Sequence, residues 1–165
     1  MDKNIVPEDF NLALVFVDAI PVLFFALSTI LIAARLKNFL FTAGAVLCFS
    51  AGFFKVLWKL IVVLHKKNVW LLFVQLRFLM PLGFLLMIFS IVGASFRSQI
   101  VWQAVAKKIF LFPQIIFFVL GILGMILMGV FAFTLDGKNL KSNWIEQITN
   151  GISQICIFLG ILFCC

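Results

Sequence analysis

The chain has 165 residues, of which 65% are hydrophobic and 12% charged, and its mean hydropathy is +1.24. Because a soluble domain carries about 25% charged residues, this composition excludes an ordinary soluble domain and predicts an integral membrane protein. The net charge of +7 is spread over helix ends and apolar segments, so the bilayer and its anionic lipids are the expected partners and nucleic acid is not.

The apolar segments predict an all-α polytopic bundle of five transmembrane helices with short hairpin loops, forming a single domain over residues 1–165. A span needs about 20 apolar residues. The predicted spans are 12–34, 39–64, 69–94, 109–133 and 144–165. The connections at 35–38 and 65–68 permit only tight hairpins, so the first three helices should be antiparallel neighbours.

The residues before the first span argue against a cleaved signal peptide, because Asp2, Glu8 and Asp9 stand where a basic segment would be required. Several Lys and Arg residues are predicted on each side of the membrane, so their counts determine the orientation poorly. The acidic start, opposed by Arg35 and Lys37 after the first helix, nevertheless predicts an N-terminus outside the cell membrane.

The second half of the chain is less regular. The connection 95–108 mixes apolar and basic residues, which predicts a short helix at the membrane surface. Asp136-Gly137 is a turn signal, and Asn143 followed three residues later by Glu146 predicts a capping box that opens the fifth helix. That helix is polar in its first half. Either its polar face turns inward, or the natural chain continues beyond the sequence given.

Charged side chains occur at a common depth in the first three spans. At a rise of 1.5 Å per residue, Asp18, Lys59, Lys55 and Arg77 lie roughly 9, 8, 14 and 12 Å below the same membrane surface. Charges at this depth are costly unless they face protein, water or a counter-ion, so they are functional-site candidates. The candidate ligand-binding residues are Asp18, Lys55, Trp58, Lys59, Gln75, Arg77, Glu146 and Asn150.

The lysines of the second span continue a line of small residues. Gly44, Cys48 and Gly52 recur at four-residue spacing, which lets another helix approach closely. Lys55 and Lys59 extend this stripe, so the lysine face should be the packing face. A matching stripe begins at Asp18 in the first helix, and Trp58 lies where its ring would shelter a cation.

Counting charges suggests a ligand. Three cations meet one carboxylate in the first three helices, or two if Glu146 reaches inward. Since burying an uncompensated charge costs free energy, this layer of charged residues should be hydrated or should bind an anion. The sequence therefore predicts binding, and with it the option of transport, of an anionic small molecule or lipid headgroup, through Arg77 and the paired lysines.

Other interpretations remain open at this point. In one alternative, the side chains of the lysines and Arg77 extend to the membrane surface and have no further function. In another, Asp18 forms an ion pair whose role is to fix the register of the helices. A non-catalytic scaffold or subunit would pair its charges with a partner or with itself in a homo-oligomer. Transport predicts a polar cavity that reaches past the midplane, whereas a scaffold predicts a dry, ion-paired interior.

An intramembrane enzyme is the third class and is disfavoured, because the sequence contains no recognisable nucleophile or metal motif. His65 is the single histidine and lies in a predicted loop. Haem held by two histidines is thereby excluded, and zinc is not expected. The four cysteines have neither metal-site nor disulfide spacing. No cofactor is expected.

Overall fold

The computed structural model describes residues 11–98, 100–135 and 140–164, and helix is the only regular secondary structure in these ranges. The helices are α1 (Leu12–Leu36), α2 (Phe39–His65), α3 (Trp70–Val74), α4 (Leu76–Phe96), α5 (Trp102–Ile109), α6 (Gln114–Thr134) and α7 (Leu140–Cys164). Counting α3 and α4 as one span, five are long and apolar enough to cross a membrane. The predicted all-α bundle with five spans is confirmed.

Local capping explains why the first connections are short. The Asn11 and Asn38 side chains accept backbone N–H bonds at the starts of α1 and α2, at 2.8 and 2.9 Å, as helix N-caps do. Lys37 and Lys66 end these helices with φ of 47° and 53°, and each donates its backbone N–H to the last turn. The chain therefore reverses within a few residues, as predicted.

The last two spans begin elsewhere than predicted. α6 begins at Gln114 instead of residue 109, because Ile109 belongs to the surface helix α5, whose existence the sequence predicted. Asn143 lies buried inside α7, so the predicted capping box of Asn143 and Glu146 is wrong. Leu140 and Trp144 pack together against the core around Leu14, and this contact extends α7 by a turn. Asp136-Gly137 lies outside the described residues.

The third span is broken at Gln75, which the sequence did not predict. The Gln75 side chain donates through Nε2 to the carbonyl of Leu72, at 3.0 Å, and to that of Ala51 in α2, at 3.2 Å. A side chain that occupies a carbonyl of its own helix competes with the regular backbone ladder. The break in the third span therefore coincides with a hydrogen bond from Gln75 to α2.

The spans pack as an open row in the order α4, α2, α1, α7, α6. We call the side where α1 begins the N-terminal side and the other the C-terminal side. Gln114 and Lys108 donate to the carbonyls of Phe163 and Cys164, so α6 starts on the C-terminal side, where α7 ends. α1 and α4 meet at Phe25 and Phe84, whose ring centroids are 6.1 Å apart.

The small-residue stripe of α2 packs against two helices. A Cβ built on Gly83 of α4 would lie 2.6 Å from Cys48 Sγ and 2.7 Å from the carbonyl oxygen of Gly44. A Cβ on Gly52 would instead lie 3.0 Å from Val22 of α1. The small-residue face of α2 therefore packs against other helices, as predicted. It contacts α4 at Gly44 and Cys48 and contacts α1 at Gly52, which is nearer to the lysines.

The polar face of α7 is turned inward. Its buried polar residues are Ser142, Asn143, Gln147, Ser153 and Gln154. Ser153 donates to the carbonyl of Thr149, and Gln154 donates to the sulfur of Met125 in α6. Burial of this face against α1 and α6 accounts for the polar first half of the fifth span.

Candidate functional site

Asp18 lies between the two lysines of α2. Its Oδ2 atom is 3.1 Å from Lys59 Nζ, and its Oδ1 atom is 3.7 Å from Lys55 Nζ. Asp18 and Lys59 are 3% and 2% exposed, whereas the Lys55 side chain is 28% exposed. Because the lysines are four residues apart, both ammonium groups project from one helix face toward the same carboxylate of α1.

A second carboxylate acts on this group from α7. Its Glu146 side chain attracts the Lys59 ammonium more weakly than Asp18 does. We call Asp18, Lys55, Lys59 and Glu146 the charged cluster. Counted over the described residues, it holds two cations and two carboxylates. The positive excess that the sequence predicted for this layer is therefore smaller than expected.

Arg77 does not join the cluster, which corrects the prediction that it turns inward. The residue is exposed on α4, and its guanidinium carbon lies 5.9 Å from the centroid of the Phe73 ring. Phe73 is one turn nearer the N-terminal side. The long Arg77 side chain thus leans along an aromatic face toward the membrane surface, which avoids placing a third cation beside Asp18.

Gln75 and Trp58 make hydrogen bonds beside the charged cluster, between α2 and the segment that follows it. Gln75 binds the carbonyl of Ala51, one turn from Lys55, and its Oε1 atom is buried without a hydrogen-bond partner among the described residues. Trp58 donates to Asn68 at 2.9 Å and packs on Phe73. The indole therefore ties α2 to the connection that follows it.

Two residues of α7, Glu146 and Asn150, were predicted for the site, and a third residue, Gln147, is more deeply buried than either. Asn150 is partly buried one turn after Glu146. Gln147, which was not among the predicted site residues, is 2% exposed, and its Oε1 atom has no hydrogen-bond partner among the described residues. It shares a helix face with Trp144 and Gly151, and a Cβ on Gly151 would lie 3.7 Å from Ile20 of α1. Gln147 therefore faces α1 near the level of Asp18.

The inward orientation of Gln147 could have been predicted from a spacing pattern in α7, which is formed by Leu140, Trp144, Gln147 and Gly151. These residues step by four, three and four positions, so they form one stripe along α7. The stripe packs on α1 in the structure. Glu146 is rotated by about 100° from Gln147 about the helix axis, which explains why it acts on Lys59 from the side.

Lys55 occupies the face of α2 between α1 and α4. Four residues before it, Ala51 accepts from Gln75 at the start of α4. Four residues after it, Lys59 pairs with Asp18 of α1. The partial exposure of Lys55 shows that the two flanking helices do not close over it. We call the space bordered by Asp18, Lys55 and Gln75 the Lys55 cleft.

The five apolar spans and their inward-facing polar residues fit a multi-pass integral membrane protein. No family model, curated protein or solved structure matches this chain.

Proposed function

We propose that this protein binds an anionic small molecule or lipid headgroup through the ammonium group of Lys55. The observation that carries the proposal is the sharing of one buried carboxylate by two lysines. Asp18 contacts Lys59 at 3.1 Å and Lys55 at 3.7 Å, and the Lys55 side chain is 28% exposed. Lys55 is thus the cation at the open edge of the cluster.

The distribution of charge supports the same residue. Lys59 pairs with Asp18 at the shorter distance, and Glu146 adds a weaker attraction. Lys55 shares one carboxylate at the longer distance. An ammonium group has three donors, and a charge within the membrane is stabilised when an anion approaches it.

The Gln75 side chain narrows the class of ligand. Its Oε1 atom is buried without a hydrogen-bond partner among the described residues, and its Nε2 atom is held by Ala51, one turn from Lys55. A ligand that carries a hydroxyl group beside its anionic group would satisfy this acceptor and the ammonium together. Hydroxylated carboxylates and glycerol phosphate headgroups have this chemistry.

The balance of two cations and two carboxylates among the described residues favours a second candidate, a non-catalytic scaffold with an ion-paired interior. A homo-oligomer or a partner subunit would then cover the outer faces of the helix row. The Lys55 cleft separates the two proposals, because a scaffold needs no occupant there. Two cavities on the C-terminal side, of 860 and 240 Å³, are lined by residues outside the cluster. Binding is the preferred proposal, because it requires no path between these cavities and the cluster.

We further propose that the protein resides in the cell membrane with its N-terminus outside, so that the Lys55 cleft opens toward the outer leaflet. The acidic residues before α1 and the basic residues Arg35 and Lys37 after it support this orientation. Labelling of single cysteines placed in the two faces of a cysteine-free variant, in intact cells, would test it.

Substitution of Lys55 with Met should remove the bound anion and leave the fold intact. We expect native mass spectrometry of the purified wild-type protein to show a co-purifying anionic species, reduced roughly tenfold or more in K55M by loss of a charge-assisted contact. Added glycerol 3-phosphate serves as the probe if the natural ligand is lost during purification. Thermal unfolding in detergent checks that K55M is folded.

The matched control is Arg77→Gln, which removes a cation from the same half of the membrane outside the cluster. R77Q should retain the anionic species at the wild-type level. If K55M retains it as well, or if wild-type protein neither carries an anion nor binds glycerol 3-phosphate, the scaffold is the better description.

A further inference from the structure

A second cavity lies in the opposite half of the membrane and is independent of Lys55. It has a volume of 860 Å³ and is bordered by the ends of α1, α4 and α7 on the C-terminal side and by α5. This volume falls within the range of about 300–1,000 Å³ that is usual for small-molecule sites. Its wall is largely apolar, and its charged lining residues are Arg35, Lys37 and Lys108.

The charged side chains around this cavity are of one sign. Among the described residues that line it, none is acidic. The sequence extends this pattern, because every Asp and Glu of the chain belongs to the segment before α1, the first half of α1, the α6–α7 connection or the first half of α7. The Asp and Glu residues of this chain are therefore separated along the sequence from the basic residues of the cavity.

The surface helix α5 forms one wall of the cavity. Val101, Ala104, Val105 and Lys108 all line the cavity, and their spacing of three, one and three places them on one helix face. The Trp102 indole donates to Ser95 Oγ at 2.6 Å, and Lys108 Nζ donates to the carbonyl of Cys164 at 2.7 Å. These contacts hold α5 across the ends of α4 and α7, with the Lys108 ammonium at the cavity.

We propose that this cavity binds one anionic phospholipid from the leaflet on the C-terminal side. The phosphate group lies among Arg35, Lys37 and Lys108, and an acyl chain lies against the apolar wall that includes Ile91, Phe118 and Ile161. Basic pockets between transmembrane helices are a recurrent binding site for anionic headgroups. A free anion would leave the apolar wall empty, and a zwitterionic lipid would not use the excess of positive charge.

The test compares lipids that differ only in headgroup. Native mass spectrometry of the full chain, released from detergent with equal amounts of phosphatidylglycerol and phosphatidylcholine of identical acyl chains, counts the lipids retained. We expect one phosphatidylglycerol in preference to phosphatidylcholine. In the triple variant R35Q/K37Q/K108Q its affinity should fall roughly tenfold or more, since each basic residue near an anionic headgroup contributes to the attraction.

The matched control is the triple variant K66Q/K67Q/K141Q, which removes three exposed lysines from the N-terminal side. Lys37 and Lys66 both end a helix at positive φ, so this pair of positions is matched in backbone conformation, and the two triple variants are matched in charge. The control should keep the phosphatidylglycerol. Lys55→Met should keep it too, which separates this site from the function proposed above.

A variant of the apolar wall tests the acyl chain. Ala104→Phe fills part of the cavity and leaves every charge in place, so it should weaken retention of phosphatidylglycerol. Equal retention of the two lipids by the wild type, or equal loss in both triple variants, would overturn the proposal. Displacement of the lipid by millimolar glycerol 3-phosphate would overturn it as well, because the headgroup alone would then suffice.

Discussion

Replacing Asp18 with Asn should lower the free energy of unfolding by about 3–5 kcal/mol, the usual cost of removing one partner from a buried ion pair. Lys59 is 2% exposed and has the Asp18 carboxylate 3.1 Å from its ammonium. The substitution preserves the shape of the side chain and removes its charge. Glu146 then remains to compensate two lysines. Unfolding in detergent, followed by helical circular dichroism, measures the loss.

The double variant D18N/K59M separates the charge effect from a packing effect. Removing both partners leaves no buried ammonium opposite a neutral amide, so the double variant should recover much of the stability that D18N loses. Lys55 then faces the introduced amide from a partly exposed position, where water can reach its ammonium. A double variant no more stable than D18N would show that the pair does not hold α1 to α2.

Substituting Gly83 with Ala should cost about 1–3 kcal/mol, the range for forcing an extra methyl group into a packed contact. The added Cβ would lie 2.6 Å from Cys48 Sγ, 2.7 Å from the Gly44 carbonyl oxygen and 3.0 Å from the backbone nitrogen of Cys48. Two of these atoms are backbone, so they cannot rotate away. α2 and α4 must separate, and the bond from Cys48 to the carbonyl of Met80 should weaken with them.

Gly93→Ala is the control in the same helix. A Cβ on Gly93 meets no atom within 4 Å, so this change should be neutral or should stabilise α4 by up to about 1 kcal/mol through helix propensity. The difference in unfolding free energy between G83A and G93A isolates the helix contact. Equal stabilities would contradict the close approach of α2 and α4.

Which segments cross the membrane was predictable, and so were the reversals between them. Long apolar runs and the short connections after Leu36 and His65 carry this information locally. The break at Gln75 was not predictable, because it depends on a carbonyl of α2, which lies far from Gln75 in the sequence. The start of α7 at Leu140 likewise depends on packing against Leu14.

Some features of the candidate site were likewise predictable from the sequence, and others were not. The four-residue spacing of Lys55 and Lys59 showed that they share a face, and the stripe of small residues showed that this face packs. Arg77 has a depth similar to that of Asp18, yet it turns outward, and Gln147 turns inward beside the predicted Glu146. Such choices follow from the rotation of each helix about its axis, which an all-round apolar sequence leaves nearly undetermined.

The sequence by itself determined that the chain is a helical membrane protein and at what depth each charge lies, because composition, segment length and rise per residue are local properties. Only the tertiary structure decided which charges meet and where a cavity forms beside basic residues. Helix order and rotation set both, and they arise from contacts such as Gly44 with Gly83 and Gly52 with Val22 between segments distant in sequence. The basic cavity beside α5 is the clearest case, since its cations come from the end of α1 and from α5, which no local pattern brings together.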